Sequence, residues 1–115
     1  MAVNCMSIEK TKEGYMFQVN APQNHNQPLG ISAVHFTDYA ECKRAMEMFA
    51  SLVRRNSMQV EDGKFVKIEK KDGKYYFNYY DDGGNLIFRR EKGYCQKTGC
   101  KKGIYAVFKI VNRSV

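Results

Sequence analysis

The chain repeats itself. Ile8-Glu9-Lys10 recurs as Ile68-Glu69-Lys70, and at the same offset of 60 Tyr15-Met16-Phe17-Gln18-Val19 matches Tyr75-Tyr76-Phe77-Asn78-Tyr79. Further on the offset is 58: Phe36 matches Tyr94, Cys42 matches Cys100, Lys43-Arg44 matches Lys101-Lys102, Met46 matches Ile104 and Val53 matches Val111. An internal period constrains the fold more than any single motif, because each copy is one supersecondary unit that buries its apolar face against the other. The change of offset places two extra residues in the first copy. They fall in Ala21 to Pro28, whose Pro, Asn and Gln content predicts a loop.

Each copy reads as three strands and a helix. In the second, Lys64 to Lys71, Tyr75 to Tyr80 and Leu86 to Arg90 are strand-like. Asp72-Gly73 and Asp81 to Asn85 supply the turns between them, since Gly accepts positive φ at no steric cost. The first copy follows with strands near Cys5 to Lys12, Tyr15 to Asn20 and Leu29 to Ala33. Apolar residues then recur at helical spacing: Cys42, Ala45, Met46, Phe49, Leu52 and Val53 in one copy, and Cys100, Gly103, Ile104, Val107, Phe108 and Val111 in the other. Asp38 with Glu41 makes a capping-box pattern, Asn56-Ser57 ends the first helix, and Thr98 or Gln96 starts the second.

A three-stranded sheet with one helix buries itself poorly alone, so two copies join. The expectation is an α+β fold of two tandem β-β-β-α repeats forming one antiparallel sheet. Its helices pack on one face with pseudo-twofold symmetry. The 115 residues make one domain, with repeat one at 5–57, repeat two at 64–112 and Met58 to Gly63 linking them.

The block Phe65-x-x-Ile68, Asp72-Gly73-Lys74-Tyr75-Tyr76-Phe77, Gly84-Asn85-x-Ile87, then Tyr94, Cys100 and Gly103-Ile104 resembles the YegP-like family of small bacterial proteins. The resemblance spans residues 5–112 and is stronger in repeat two; in repeat one Ala45-Met46 stands where Gly103-Ile104 stands in the other. It implies a single antiparallel sheet built by both repeats, with helices on one face, able to exchange between repeats. Single-repeat relatives would reach this shape as homodimers and a tandem chain as a monomer. It brings no catalytic residues, because the family has no established function.

Chemistry-bearing motifs are sparse. Cys42 and Cys100 occupy matching positions on apolar helix faces and read as small hydrophobes. Cys95, near the second helix start with Lys92 and Lys97 close in sequence, is a candidate redox thiol, though no base or resolving partner accompanies it. Cys95-x4-Cys100 lacks structural zinc spacing, and His25 and His35 have no paired ligand. Acids lie mostly in turns, where local backbone hydrogen bonds explain them, or on solvated helix faces. No phosphate-binding glycine loop or nucleophile elbow occurs. The reading is therefore non-enzymatic, with no cofactor and no metal. No apolar run approaches the ~20 residues of a membrane span, and Met1 to Lys10 lacks the pattern of a secretory signal. The expected location is the cytoplasm.

What remains is charge. The chain carries +7 in total, but residues 1–57 hold six Lys/Arg against five Asp/Glu, and residues 58–115 hold thirteen against seven. The surplus belongs to repeat two. On the second helix Lys102, Tyr105 and Lys109 form an outward stripe beside Lys101, where repeat one has Arg44, Glu47 and Ser51. On the second strand Tyr75, Phe77 and Tyr79 mark the core side. Tyr76 and Tyr80 then face outward, with Lys67 and Arg89 in cross-strand reach. These eight residues (Lys67, Tyr76, Tyr80, Arg89, Lys101, Lys102, Tyr105 and Lys109) are the candidate binding surface. The expected function is a binding module for a partner such as an acidic protein. The alternatives are single-stranded nucleic acid or another polyanion on the open sheet, and a thiol sensor at Cys95.

Overall fold

Alternating apolar residues build the sheet. The computed structural model describes residues 6–21, 24–56 and 64–113. In chain order it has β1 (Met6–Thr11), β2 (Gly14–Ala21), β3 (Asn24–Ser32), α1 (Tyr39–Arg55), β4 (Val66–Lys71), β5 (Lys74–Tyr80), β6 (Leu86–Arg89) and α2 (Lys97–Arg113). The strands form one six-stranded sheet in the order β1-β2-β3-β6-β5-β4, and every described pairing is antiparallel. The architecture is α+β. Cys5 and the segment Met58 to Gly63 lie outside the described residues.

The expected loop over Ala21 to Pro28 is mostly strand: β2 runs to Ala21 and β3 begins at Asn24. Pro28 lies opposite Asn20, where the register shifts. A proline cannot donate to a ladder, and a shifted register is where strands tolerate one. Val19 pairs with Gly30 and Asn20 with Pro28, which leaves Leu29 as the extra residue; Tyr79 pairs with Phe88 and Tyr80 with Leu86, which leaves Ile87. Both bulged residues are half-buried and pack against the core.

The core lies between the helices and the sheet face carrying Phe17, Val19, Phe77, Tyr79 and Phe88. Phe88 is its hub, with ring centroids 4.3 Å from Phe49, 5.5 Å from Tyr79 and 5.9 Å from Phe17. Each such buried ring contributes about 1.5–3 kcal/mol by transfer from water. The α1 face is Cys42, Phe49, Ala50, Leu52 and Val53, with Ala45 and Met46 only half-buried. The α2 face is Cys100, Gly103, Ile104, Val107, Ile110 and Val111, with Phe108 half-buried at its edge. α1 packs on β1 and β2, whereas α2 reaches β2 and β3 as well as β5.

The helix ends follow their sequence signals in part. The Asp38 side chain accepts from the Glu41 N–H at 2.8 Å, and the Asn56 N–H donates to Leu52 O at 3.0 Å. The Glu41 carboxylate takes the Thr37 hydroxyl, at 3.1 Å, as a donor. The Cys100 N–H donates to Gln96 O at 3.2 Å, so α2 starts from Gln96.

Two backbone approaches dictate residue size. A Cβ at Gly30 would collide with the Phe88 ring, 2.6 Å from Cζ. A Cβ at Gly103 would collide with the Tyr94 hydroxyl and lie 2.7 Å from its Cζ. Gly within a helix costs about 1 kcal/mol relative to Ala, so its presence at 103 answers to the hydroxyl. Phe36, which has no hydroxyl, makes a bridge to Tyr15 like the one Tyr94 makes to Tyr75, and Ala45 stands where Gly103 would be. Gly103→Ala should therefore destabilise the chain by about 1–3 kcal/mol through overpacking. In a Tyr94→Phe background the same change should cost clearly less, because the hydroxyl is gone and only the ring's Cζ, at 2.7 Å, still has to give way. Chemical denaturation of the four chains in this cycle measures the coupling, and additive effects would refute the steric account.

Candidate functional site

Period-two alternation decides which side chains leave the core. On the face away from the helices one row crosses the whole sheet through successive cross-strand pairs: Ser7, Gln18, Ile31, Arg89, Asn78 and Lys67. Ile31 is buried there, outside the main core cluster, between Gln18 and Arg89. In sequence it stands among Leu29, Gly30, Ser32 and Ala33, its polar neighbours on that face come only from pairing across strands, and the expected site did not include it.

Four of the eight candidate residues meet on this open face. Lys67 is exposed, and Tyr76, Tyr80 and Arg89 are half-buried. Lys67 Nζ lies 5.5 Å from the Tyr80 ring centroid. Tyr76 packs where a Cβ at Gly93 would be, 2.7 Å from the ring's Cζ. Asn78 Nδ2 donates to Glu69 Oε2 at 3.0 Å. Beside them is a shallow cavity of about 360 Å³ lined by Tyr76, Asn78 and six charged residues. Three are cations (Lys71, Arg89 and Arg90) and three are carboxylates (Glu69, Asp72 and Glu91). Sequence reading missed the carboxylates' part because each looks like a solvated strand or turn acid in isolation.

Arg90 fixes one wall. Its Nη1 donates to the carbonyls of Pro28 at 3.2 Å and Leu29 at 3.1 Å, and its guanidinium lies 4.3 Å from the Tyr94 ring centroid. Burial pushes the Tyr94 phenol above its usual range, against the opposing pull of Arg90.

The other four candidates stand elsewhere. Lys101, Lys102, Tyr105 and Lys109 are all exposed on the side of α2 turned away from its buried face. The sheet's core face lies under that helix, so the eight residues form two surfaces on opposite sides of the sheet. Helix periodicity and strand alternation each locate a face, and only the packing of α2 on the sheet sets the two apart.

The remaining groups have local explanations. Asp81 Oδ1 accepts from the Asn85 and Gly83 N–H groups, each at 2.9 Å, and the Asn85 bond leads in holding its carboxyl below the usual range. His35 Nε2 lies 3.4 Å from Glu13 Oε2 at the surface. Among the described residues no three His, Cys, Asp or Glu side chains gather as a metal site, and no helix is long and apolar enough to cross a membrane. The side chain of His25 is outside the described set. Cys42 and Cys100 are buried, burial pushes the Cys42 thiol up, and Cys95 is exposed. In a Cys5→Ser background, Ellman's reagent should titrate Cys95 alone in the native chain and Cys42 and Cys100 only in denaturant. Rapid native reaction of a second thiol would contradict the packing described.

The comparisons with known proteins fit this geometry. Residues 70–111, from the end of β4 through most of α2, match the family model described as Domain of unknown function (DUF1508). No curated protein matches. The solution NMR structure of yegP from E. coli, a protein of unknown function, aligns with a TM-score of 0.76. The alignment covers 100% of this chain and 91% of that chain at 18% identity, so the likeness is one of fold. The likeness to DUF1508 thus covers residues 70–111, and the whole chain shares the fold of yegP.

Proposed function

We propose that the chain is a tandem pseudo-dimer serving as a non-enzymatic binding module, with its partner taken at the open-face cavity of the second repeat. The duplication is supported by register. Ile31 and Arg89 pair across the β3–β6 seam and are also separated by the repeat offset of 58. A pseudo-twofold axis then passes between them. Ser7 and Lys67, and Gln18 and Asn78, follow at the offset of 60 on either side.

The two halves are not interchangeable at the axis. At offset 58 Gly30 corresponds to Phe88, and the Phe88 ring fills the space over Gly30. A symmetric pair of second repeats would set two such rings in one slot and place Arg89 against Arg89. Residues 1–57 and 58–115 expressed as separate chains should therefore associate one to one. Native mass spectrometry distinguishes this from homodimers of 58–115, whose predominance would refute complementary halves.

The cavity's mixed charge carries the binding reading. Three carboxylates among its lining repel a uniform polyanion, so single-stranded nucleic acid is not its favoured partner. Three cations among them repel a uniform polycation equally. A peptide segment bearing both signs, laid against Tyr76, satisfies both sets, as electrostatic complementarity requires. Nitrogen-15 NMR titration with a mixed-charge Glu/Lys peptide should shift Tyr76, Asn78 and Arg89, and Arg89→Ala should abolish the shifts. Open-face shifts with polyglutamate of equal or greater size would overturn this reading, as would none with the mixed peptide.

A further inference from the structure

The opposite side of the molecule has a different electrostatic character. α2 carries five cations (Lys97, Lys101, Lys102, Lys109 and Arg113) and no acid, whereas α1 carries Lys43, Arg44, Arg54 and Arg55 with Glu41 and Glu47. A helix face exposed only to be wetted ordinarily mixes the signs, as α1 does. Four of the five fall on one ladder of fourth residues, Lys97, Lys101, Lys109 and Arg113, with Tyr105 on the middle rung. Successive rungs lie about 6 Å apart and the ladder is about 24 Å long. All five rungs are exposed. At α1 the matching positions are Tyr39, Lys43, Glu47, Ser51 and Arg55, so the ladder is a property of the second repeat alone.

Tyr105 gives the ladder its second feature. It is an exposed large aromatic, 49% accessible. Its ring meets Phe108 edge-on at 6.1 Å between centroids, and Lys109 Nζ lies 4.8 Å from its centroid. The ring is thus half in solvent, with Phe108 edge-on to it and the Lys109 ammonium beside it. The apolar face of α2 is committed to the core, so this helix has none left to insert into a lipid surface. A duplex keeps its base faces stacked inside, whereas a single strand offers them to an aromatic ring.

We infer that the outer ladder of α2 docks single-stranded nucleic acid, with phosphates along Lys97, Lys101, Lys109 and Arg113 and a base stacked on Tyr105. Charge complementarity selects the polyanion and the central ring selects the single strand. At about 3.4 Å per stacked nucleotide the ladder spans about seven nucleotides, within the range of known single-strand sites. This surface is separate from the open-face cavity, and either reading can fail alone.

The test is fluorescence anisotropy of the full chain with a labelled oligothymidylate of about fifteen nucleotides, repeated across salt concentrations. Neutralising four phosphates gives a slope of log affinity on log salt of about −2.8. Lys97→Gln and Lys109→Gln should each reduce its magnitude by about 0.7. Tyr105→Leu, which keeps the helix and the charge, should weaken binding about tenfold with the slope unchanged. Lys67→Gln on the open face should leave affinity unaltered. Circular dichroism confirms that each exposed-site variant is folded. The inference is overturned by no binding at low salt, by tighter binding to a duplex of the same length, or by an unchanged affinity in Tyr105→Leu. Capture by anionic phosphatidylserine vesicles without oligonucleotide binding would overturn it too.

Discussion

The ring of Phe88 lying over Gly30 is the contact on which the rest of the structure depends. It sits at the β3–β6 seam, where the sheet's two three-stranded halves meet. From there Phe88 stacks on Phe49 of α1 and Phe17 of β2, and meets Tyr79 of β5 edge-on. One side chain therefore links both halves of the sheet to a helix from the first half. Interiors pack to crystal-like density, so a ring of this size fits one slot and no other. The seam has one ring, one vacancy, and a single arrangement that fills it.

The same reasoning explains why the two halves share a pattern without sharing residues. At two buried places volume is conserved across a contact and not within a position. Tyr94 with Gly103 occupies the room that Phe36 with Ala45 has in the other half, the hydroxyl on one partner taking the place of a methyl on the other. Phe88 over Gly30 is the extreme case, in which one half supplies all the volume. Cores tolerate substitution when summed volume and patterning are kept. On the proposed tandem reading, that tolerance would permit two copies of one plan to drift apart while remaining complementary.

Most of this architecture was legible in the sequence because it rests on periodicity. Tyr75, Phe77 and Tyr79 announced a core face by alternation, Cys42 to Val53 announced a helix by its 3.6 period, and Asp72-Gly73 announced a hairpin; Asp72 and Gly73 both have positive φ, at 52° and 79°. Asn24 to Pro28 was not legible as strand. Its residues are poor strand formers, and β2 alongside overrides local propensity. The candidate site was half legible. Each residue's face followed from its own element, but that Lys67 and Lys109 lie on opposite sides of the sheet depends on how α2 packs. The carboxylates of the cavity were hidden for a similar reason: Glu69 and Asp72 stand at the end of β4 and its turn, Glu91 follows β6, and the three gather only through the pairing of β4, β5 and β6.

On the proposed tandem reading, duplication within one chain would also bear on the outer surfaces. A homodimer of identical repeats must present every surface twice, related by its axis. A fused pair is released from that symmetry wherever the core is not involved. The first half carries Ser7, Gln18 and Ile31 where the second carries Lys67, Asn78 and Arg89, and α1 carries both signs of charge where α2 carries only positive charge. The charged differences lie on residues that touch solvent, while the aromatic centre stays complementary. On the tandem reading the first half then acts chiefly as the scaffold that completes the sheet. The second half, so supported, is free to specialise on two sides at once: a mixed-charge cavity on the open face and a cationic ladder on the helix. The sheet and its core hold those sides apart, so occupancy of one leaves the other accessible.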